Sequence, residues 1–257
     1  MSGIAGKLAL VTGASAGIGL ACAHCFAADG ANLVLWARRG ERLEQEAEAL
    51  RRAHGASVRT AVVDVRRRAA VEEAVQQLVD AGSVPDILLN NAGLAAGLDK
   101  LQDGDPEDWD RMIDTNVKGL LYVTRALLPH MVRLGRGHVV NLGSLAGHQT
   151  YPKGNVYSAT KYAVRALTEG MHLDLVGTPV RVSSIDPGLV ETEFSVVRFH
   201  GDAERAKSVY QGMRPLTAAD VAEVVRYVVN LPEHVNVLDL VLMPTAQRST
   251  QVVHRQN

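Results

Sequence analysis

Leu8-Ala9-Leu10-Val11-Thr12-Gly13-Ala14-Ser15-Ala16-Gly17-Ile18-Gly19 is the stretch on which the fold turns. Leu8 to Val11 is too short an apolar run for a helix and has the length of a buried strand. Leu20 to Asp29, beyond the glycines, reads as a helix. Strand, glycine turn and helix therefore stand in series. Glycines at such points let the backbone turn tightly and approach a pyrophosphate, whose charge then meets unpaired N–H groups at the helix N-terminus. The spacing is Gly-x3-Gly-x-Gly and departs from the Gly-x-Gly-x2-Gly of the longer dinucleotide-binding fingerprint. The setting behind a first strand, more than the spacing, makes Gly13, Ser15, Gly17, Ile18 and Gly19 candidates for holding a nucleotide.

The alternation continues along the chain. Strand-like runs occur near Leu8 to Val11, Asn32 to Trp36, Ser57 to Val63, Asp86 to Leu89, His138 to Leu142, Val180 to Ile185 and Val237 to Met243, with helical stretches between them. They are rich in Val, Leu and Ile without polar alternation, as a sheet covered on both faces requires. The expected fold is α/β: a doubly wound Rossmann-type sheet of about seven parallel strands with helices on both faces. A chain of 257 residues can bury a large core, and α/β sheets of this size often remain one unit, so 1-257 is expected to be a single domain.

Basic and acidic residues number 27 and 28, a net charge of -1, which gives no reason to expect a nucleic-acid or anionic-membrane partner. No apolar stretch has membrane-spanning length, and Met1 to Lys7 lacks the pattern of a secretory leader. A cytoplasmic protein acting on a small molecule is expected. Cys22 and Cys25 superficially suggest a redox or metal motif, but they lie three apart in the first helix with no second ligand pair, so they read as packing residues and no metal is expected.

Tyr157-Ser158-Ala159-Thr160-Lys161 sets an ammonium beside a phenol on one helical face. A phenol with its ordinary pKa of ~10 exchanges protons poorly at neutral pH, and a neighbouring cation favours the phenolate. Alone, such a pair reads as a core aromatic and a solvated lysine. Three companions change that reading: the glycine turn, Asn90-Asn91-Ala92-Gly93 at the end of another apolar strand, and the pair Asn116 and Ser144 upstream of the tyrosine. Ser144 follows Val139-Val140-Asn141-Leu142 and so lies at a carboxyl edge, where open parallel sheets bind ligands.

In this order and at these intervals the motifs closely resemble those of the short-chain dehydrogenase/reductases, from about Lys7 to the C-terminus. The resemblance implies that Tyr157 exchanges a proton with the substrate oxygen and that Ser144 hydrogen-bonds that oxygen. It further implies that Lys161 lowers the tyrosine pKa and donates to the nicotinamide ribose, and that Asn116 holds a water linking the lysine to solvent. Asn91, Ala92 and Gly93 join the cofactor set, as do Pro187, Gly188, Val190 and Thr192, which look like the loop meeting the carboxamide end. Asp64-Val65 resembles the adenine-contacting position, although an aspartate there equally suits a helix cap.

Cofactor choice is read from the second strand. An acidic residue at its end would accept from a ribose 2′-hydroxyl, and there is none from Ala31 to Gly40; Arg38 and Arg39 stand there instead, suited to a 2′-phosphate. NADP(H) is expected; the alternative, two solvated arginines opening a charged helix, would fit if NAD(H) proved equally good. The C-terminal third, including Gly154 to Tyr157, Thr192 to Phe199, Leu231 to Asn236, Met243 to Thr245 and Val253 to Gln256, looks like the NADP-dependent 3-hydroxy acid dehydrogenases, a subgroup acting on L-serine, L-allo-threonine and malonic semialdehyde. Such substrates carry a carboxylate that needs a compensating charge. Arg198 is the candidate, in a stretch from about Pro187 to Pro215 that is either a lid or a surface excursion; Lys153 and Arg248 are alternatives. A carbonyl reductase of broader scope and a non-catalytic NADP(H)-binding sensor are the competing functions. The resemblance also implies a homotetramer formed through helices near Asp108 to Leu134 and Asn155 to Val176.

Overall fold

The structure, a computed structural model, describes residues 3–256. Its strands are β1 (Leu8–Thr12), β2 (Asn32–Ala37), β3 (Val58–Val62), β4 (Ile87–Asn90), β5 (Gly137–Leu142), β6 (Val180–Pro187), β7 (Val190–Glu191), β8 (Leu216–Thr217) and β9 (Asp239–Leu242). A seven-stranded sheet runs in the order β3-β2-β1-β4-β5-β6-β9, and every pairing within it is parallel. Strand order reverses between β1 and β4, so their carboxyl ends splay apart and open the crevice in which such sheets bind ligands.

Both faces of the sheet are apolar because successive strand residues point to opposite sides. Ala9, Val11, Leu33, Leu35 and Leu89 pack into one core, with α1 (Gly17–Ala28), α2 (Gly40–His54) and α9 (Ala218–Val229). Leu10, Val34, Trp36 and Leu88 pack into the other, with α3 (Arg68–Asp80), α5 (Leu120–Leu134) and the end of α6 (Asn155–Asp174). Complete burial of each valine or leucine among them is worth about 1.5–3 kcal/mol. A polar thread also crosses the second core. Asn90 Nδ2 donates to Thr124 Oγ1 and to Asn141 Oδ1, each at 2.9 Å, and Asn141 Nδ2 donates to Thr168 Oγ1 at 2.9 Å. It fixes α5 and α6 against the ends of β4 and β5, where slippage would displace the site.

The helix expected from Asp108 to Leu134 is interrupted. It consists of α4 (Pro106–Ile113), a π-helical turn over Asp114–Gly119, and α5. Such wide turns insert a residue and re-aim its neighbours; here the neighbour is Asn116. The stretch expected to lack regular structure has its own framework: β7 pairs with β8, and between them lie α7 (Phe194–Arg198) and α8 (Ala203–Ser208). Beyond β9, Arg255 donates to the carbonyls of Val209 and Gln211, tying the last residues to the loop after α8.

Cys22 is fully buried in the first core, where desolvation raises its thiol far above the ordinary range; Cys25 is half-buried, with its thiol pushed up to about 11 by burial and by Glu223. Neither is a thiolate at neutral pH, as packing residues should be. Among the described residues no helix is long and apolar enough to cross a membrane.

Candidate active site

A cleft of about 580 Å³ opens along the carboxyl ends of β1, β2, β4, β5 and β6 and extends under α7. All the expected cofactor positions but Gly19 line it: Gly13, Ser15, Gly17, Ile18, Arg38, Arg39, Asp64, Val65, Asn91, Ala92, Gly93, Tyr157, Lys161, Pro187, Gly188, Val190 and Thr192. Gly19 supports it from below. A Cβ on Gly19 would lie 2.3 Å from Asn91 Nδ2, and Gly13, at φ +66°, adopts a backbone that side chains disfavour. Asn91 needs that room because Nδ2 donates to Thr12 O at 2.8 Å and Gly13 O at 3.1 Å. Its side chain is therefore a clasp between β4 and the glycine turn. Thr12 Oγ1 completes the clasp by donating to Leu89 O at 3.3 Å and accepting from Asn91 N and Ala92 N at 3.0 Å.

Helix α1 begins without a capping side chain and without an acid in its first turn, so its N–H groups and its positive dipole end face the cleft uncompensated. That is what a pyrophosphate requires. At the end of β2, Arg39 donates to Ser15 Oγ at 3.2 and 3.3 Å and pairs with Glu193 at 3.0 Å, while Arg38 is exposed beside it. Glu193 also binds Arg42 at 2.6 Å, so these arginines are already gathered around an anion. Asp64 does not cap α3, whose first residue is preceded by Arg67; its carboxylate is folded onto Arg66 at 2.6 Å, and that hydrogen bond holds it below the usual carboxylate range.

The four expected catalytic residues lie in or beside the cleft. Ser144 caps a short 3-10 turn, Leu145–Gly147, its Oγ accepting from Ala146 N at 3.1 Å. Tyr157 and Lys161 lie one turn apart on α6, the ammonium 6.0 Å from the ring centre and donating to Leu142 O at 2.7 Å. Asn116 stands behind them. Its Oδ1 accepts from Leu94 N at 2.8 Å, and its Nδ2 donates to Leu94 O at 2.8 Å and Thr160 Oγ1 at 3.0 Å. Both amide hydrogens are thus spent, leaving the Asn116 side chain only acceptor capacity for any further partner.

In this cleft burial, rather than Lys161, dominates the phenol. Burial pushes Tyr157 well above the ordinary phenol range, and the opposing pulls come from the Ser144 hydroxyl and from Arg198. The physical reason is desolvation: a phenolate sealed under α7 loses its hydration, and Tyr151 beside it adds to the cost. The same burial lowers Lys161 to about 8, against a contrary pull from Asp186.

At the far end of the cleft, Arg198 lies across the Tyr157 ring at 5.4 Å from its centre. It donates to the Tyr151 hydroxyl and to Gly97 O at 3.4 Å, and Gly97 N donates back to Arg198 O at 3.0 Å. Of the three cations considered for a carboxylate, Arg198 lines the cleft and Lys153 and Arg248 do not. Sequence reasoning missed several lining residues, three of which shape the site. Tyr151 orients Arg198, Phe194 packs edge-to-face on Tyr157 at 5.6 Å, and buried Gln247 accepts from Leu189 N at 2.9 Å. Phe194 lay within the Thr192 to Phe199 segment already singled out; Tyr151 and Gln247 carried no signal in the sequence.

The model of the short chain dehydrogenase family matches residues 7–202. NADP-dependent 3-hydroxy acid dehydrogenase YdfG of Salmonella typhi is 48% identical over 250 residues, 96% of this chain and 99% of the relative. Sulfoacetaldehyde reductase 2 of Chromohalobacter salexigens is 46% identical, covering 93% of this chain and 95% of its own. A solved structure of the closed form of serine dehydrogenase complexed with NADP+ superimposes with a TM-score of 0.90 at 47% identity, covering 97% of this chain and all of the other. With its glycine turn, its Tyr157–Lys161 pair and its parallel sheet in place, this chain belongs to the short chain dehydrogenase family of oxidoreductases.

Proposed function

We propose that the chain is an NADP(H)-dependent oxidoreductase that interconverts small 3-hydroxy acids and the corresponding 3-oxo acids or semialdehydes. The observation that carries this reading is the placement of the Arg198 guanidinium 5.4 Å from the Tyr157 ring centre, in a cleft whose other end gathers Arg39 and the open end of α1. The cradle fits the cofactor: glycines where side chains would collide, an uncapped helix end for the pyrophosphate, and arginines for a 2′-phosphate. The names of the relatives at 46–48% identity agree with a small, anionic substrate.

When bound, the nicotinamide supplies or accepts the hydride. The chain does the rest. Arg198, steadied by Tyr151, takes the acid group and sets the carbonyl oxygen toward Tyr157 and Ser144. Ser144 donates to that oxygen, and Tyr157 delivers the proton as charge develops on it. Burial of the phenol favours its protonated form, so the chain rests ready for reduction. In the oxidative direction the phenolate must form first, and the Lys161 ammonium one turn away offsets part of that cost. Asn116, through Leu94 and Thr160, holds the floor against which these groups are aligned.

A sulfonate is a second anion that the Arg198 and Tyr151 pair can bind, which brings sulfoacetaldehyde into the same substrate class. Assembly through α4–α5 and α6 belongs to this proposal, supported by the exposed apolar residues Ile113, Leu121, Leu134, Tyr162 and Leu173 on those elements. The test is a panel of malonic semialdehyde, sulfoacetaldehyde, L-serine, L-allo-threonine and a neutral diketone, each with NADPH or NADP+ and with NADH or NAD+. Higher kcat/KM for the anionic compounds with the phosphorylated cofactor is expected; preference for the diketone overturns the substrate assignment.

A further inference from the structure

The turn that carries Ser144 is gripped by two ionisable side chains, and the mechanism above uses only one. Lys161 Nζ holds Leu142 O at 2.7 Å; one residue beyond Gly143, Ser144 N donates to Asp186 Oδ1 at 2.9 Å. Asp186 is 1% exposed, near the end of β6. Gly143 makes room for it, because a Cβ there would lie 1.5 Å from Asp186 Oδ1. Ser184 Oγ donates to the same oxygen at 2.9 Å. The other oxygen, Oδ2, meets His148 Nε2 at 3.1 Å, and His148 lies 3.6 Å from Asp239 Oδ1. Ser184 and Asp239 are register partners on β6 and β9, so Asp186, two residues on, shares their face of the sheet.

Among the described residues, charged and titratable groups face this carboxylate from three sides. Lys161 and Tyr157 feel it from α6; His148 faces it from the turn after Gly147, and Asp239 from β9. Arg165 on α6 reaches Asp239 Oδ2 at 3.6 Å but is shared with Glu169 at 3.2 Å. A carboxyl buried this deeply, without a Lys or Arg among the described residues bound to it, is costly to keep. Two functions account for the cost, one directed at the main chain of Ser144 and one at the Lys161 ammonium.

We propose that Asp186 is a positioning residue of the reaction: its carboxylate fixes the main chain of Ser144 and places a buried negative charge behind the Lys161 ammonium, while His148 and Asp239 govern that charge from the solvent side. The inference rests on the roles given to Ser144, Tyr157 and Lys161 under the proposed function. Desolvation, with Asp239 beside it, raises Asp186 to about 6, and the hydrogen bonds from His148 and Ser184 pull the other way. Asp186 in turn pulls Lys161 upward against burial. Reduction therefore needs Asp186 ionised, which gives an acidic limb, and Lys161 protonated, which gives an alkaline one.

Asp186→Asn keeps an oxygen for Ser144 N and Ser184 Oγ and removes only the charge. The Lys161 ammonium is followed in the cofactor-free protein by carbon-13 NMR at Cε, assigned with Lys161→Arg. The titration midpoint in Asp186→Asn is expected to fall by about half a unit to one unit, and the alkaline limb of NADPH-dependent reduction to move down with it. His148→Gln removes a group that lowers Asp186 and should move the acidic limb up; Asp239→Asn removes one that raises it and should move the limb down. An unchanged Lys161 midpoint in folded Asp186→Asn, or acidic limbs in the other two variants that coincide with wild type, overturns the inference. Where Asp186→Asn fails to fold, the opposite shifts of the His148 and Asp239 variants decide alone. Turnover surviving in Tyr157→Phe would instead sink the functional reading, and the NMR midpoint distinguishes the two failures.

Discussion

Arg198→Met is the perturbation that most directly separates an acid-specific enzyme from a general carbonyl reductase. The guanidinium is already held by the Tyr151 hydroxyl and Gly97 O, so little side-chain freedom remains to be lost when an anion arrives. It is only partly buried, which places its charge-assisted hydrogen bonds in the lower part of their range, about 1.5–2 kcal/mol. That corresponds to about a 10- to 30-fold rise in KM for malonic semialdehyde or sulfoacetaldehyde. A neutral diketone cannot use the charge and should change by about twofold or less, reflecting only the looser lid. Initial rates of NADPH oxidation over a range of each carbonyl supply both numbers. Arg198→Lys restores the charge without the planar fork and should recover part of the loss. Equal losses on anionic and neutral substrates would refute the assignment, because they would reduce Arg198 to a brace for the lid.

Tyr157→Phe should lower turnover by about 100- to 10,000-fold while NADPH binding and the melting temperature stay close to wild type, as calorimetry and thermal melts would establish. With Lys161 at about 8, kcat/KM for reduction should fall as pH rises through that value, and Lys161→Arg, which stays charged, should show no such limb in the pH profile. The folded pKa of Lys161 lies below that of a free lysine, so the unfolded chain binds the extra proton in the window between them and this group adds stability as pH rises across it. Arg39→Ala should weaken NADPH by about tenfold or more while leaving NADH within about twofold, read by fluorescence titration of each cofactor. Gly19→Ala should lower the melting temperature by several degrees, because its Cβ would meet Asn91 Nδ2 at 2.3 Å and Gly13 O at 2.8 Å; an unchanged melt would show that the Asn91 clasp carries no weight.

What the sequence made legible was whatever is local. The strands announce themselves because both faces of the sheet are buried, so Leu8 to Val11 or Ile87 to Leu89 needs no polar alternation. The Tyr157 and Lys161 pairing follows from helical spacing alone. Features made by residues distant in sequence stayed hidden. The Asn91 clasp joins positions 78 and 79 residues apart, and the pairing of Asp186 with His148 spans 38. The π-helical turn at Asp114–Gly119 has no compositional mark, and β7 and β8 are too short to display a period. Spacing placed the ammonium beside the phenol correctly, yet burial decides which way the phenol titrates, and burial is a property of the assembled core.

Thr12 ties Leu89, Asn91 and Ala92 together with one hydroxyl exactly where the sheet parts. The mould that receives the dinucleotide is consequently cast before anything enters it. Association of the nucleotide should then proceed in one kinetic phase limited by encounter, since no slow rearrangement of the crevice floor has to come first.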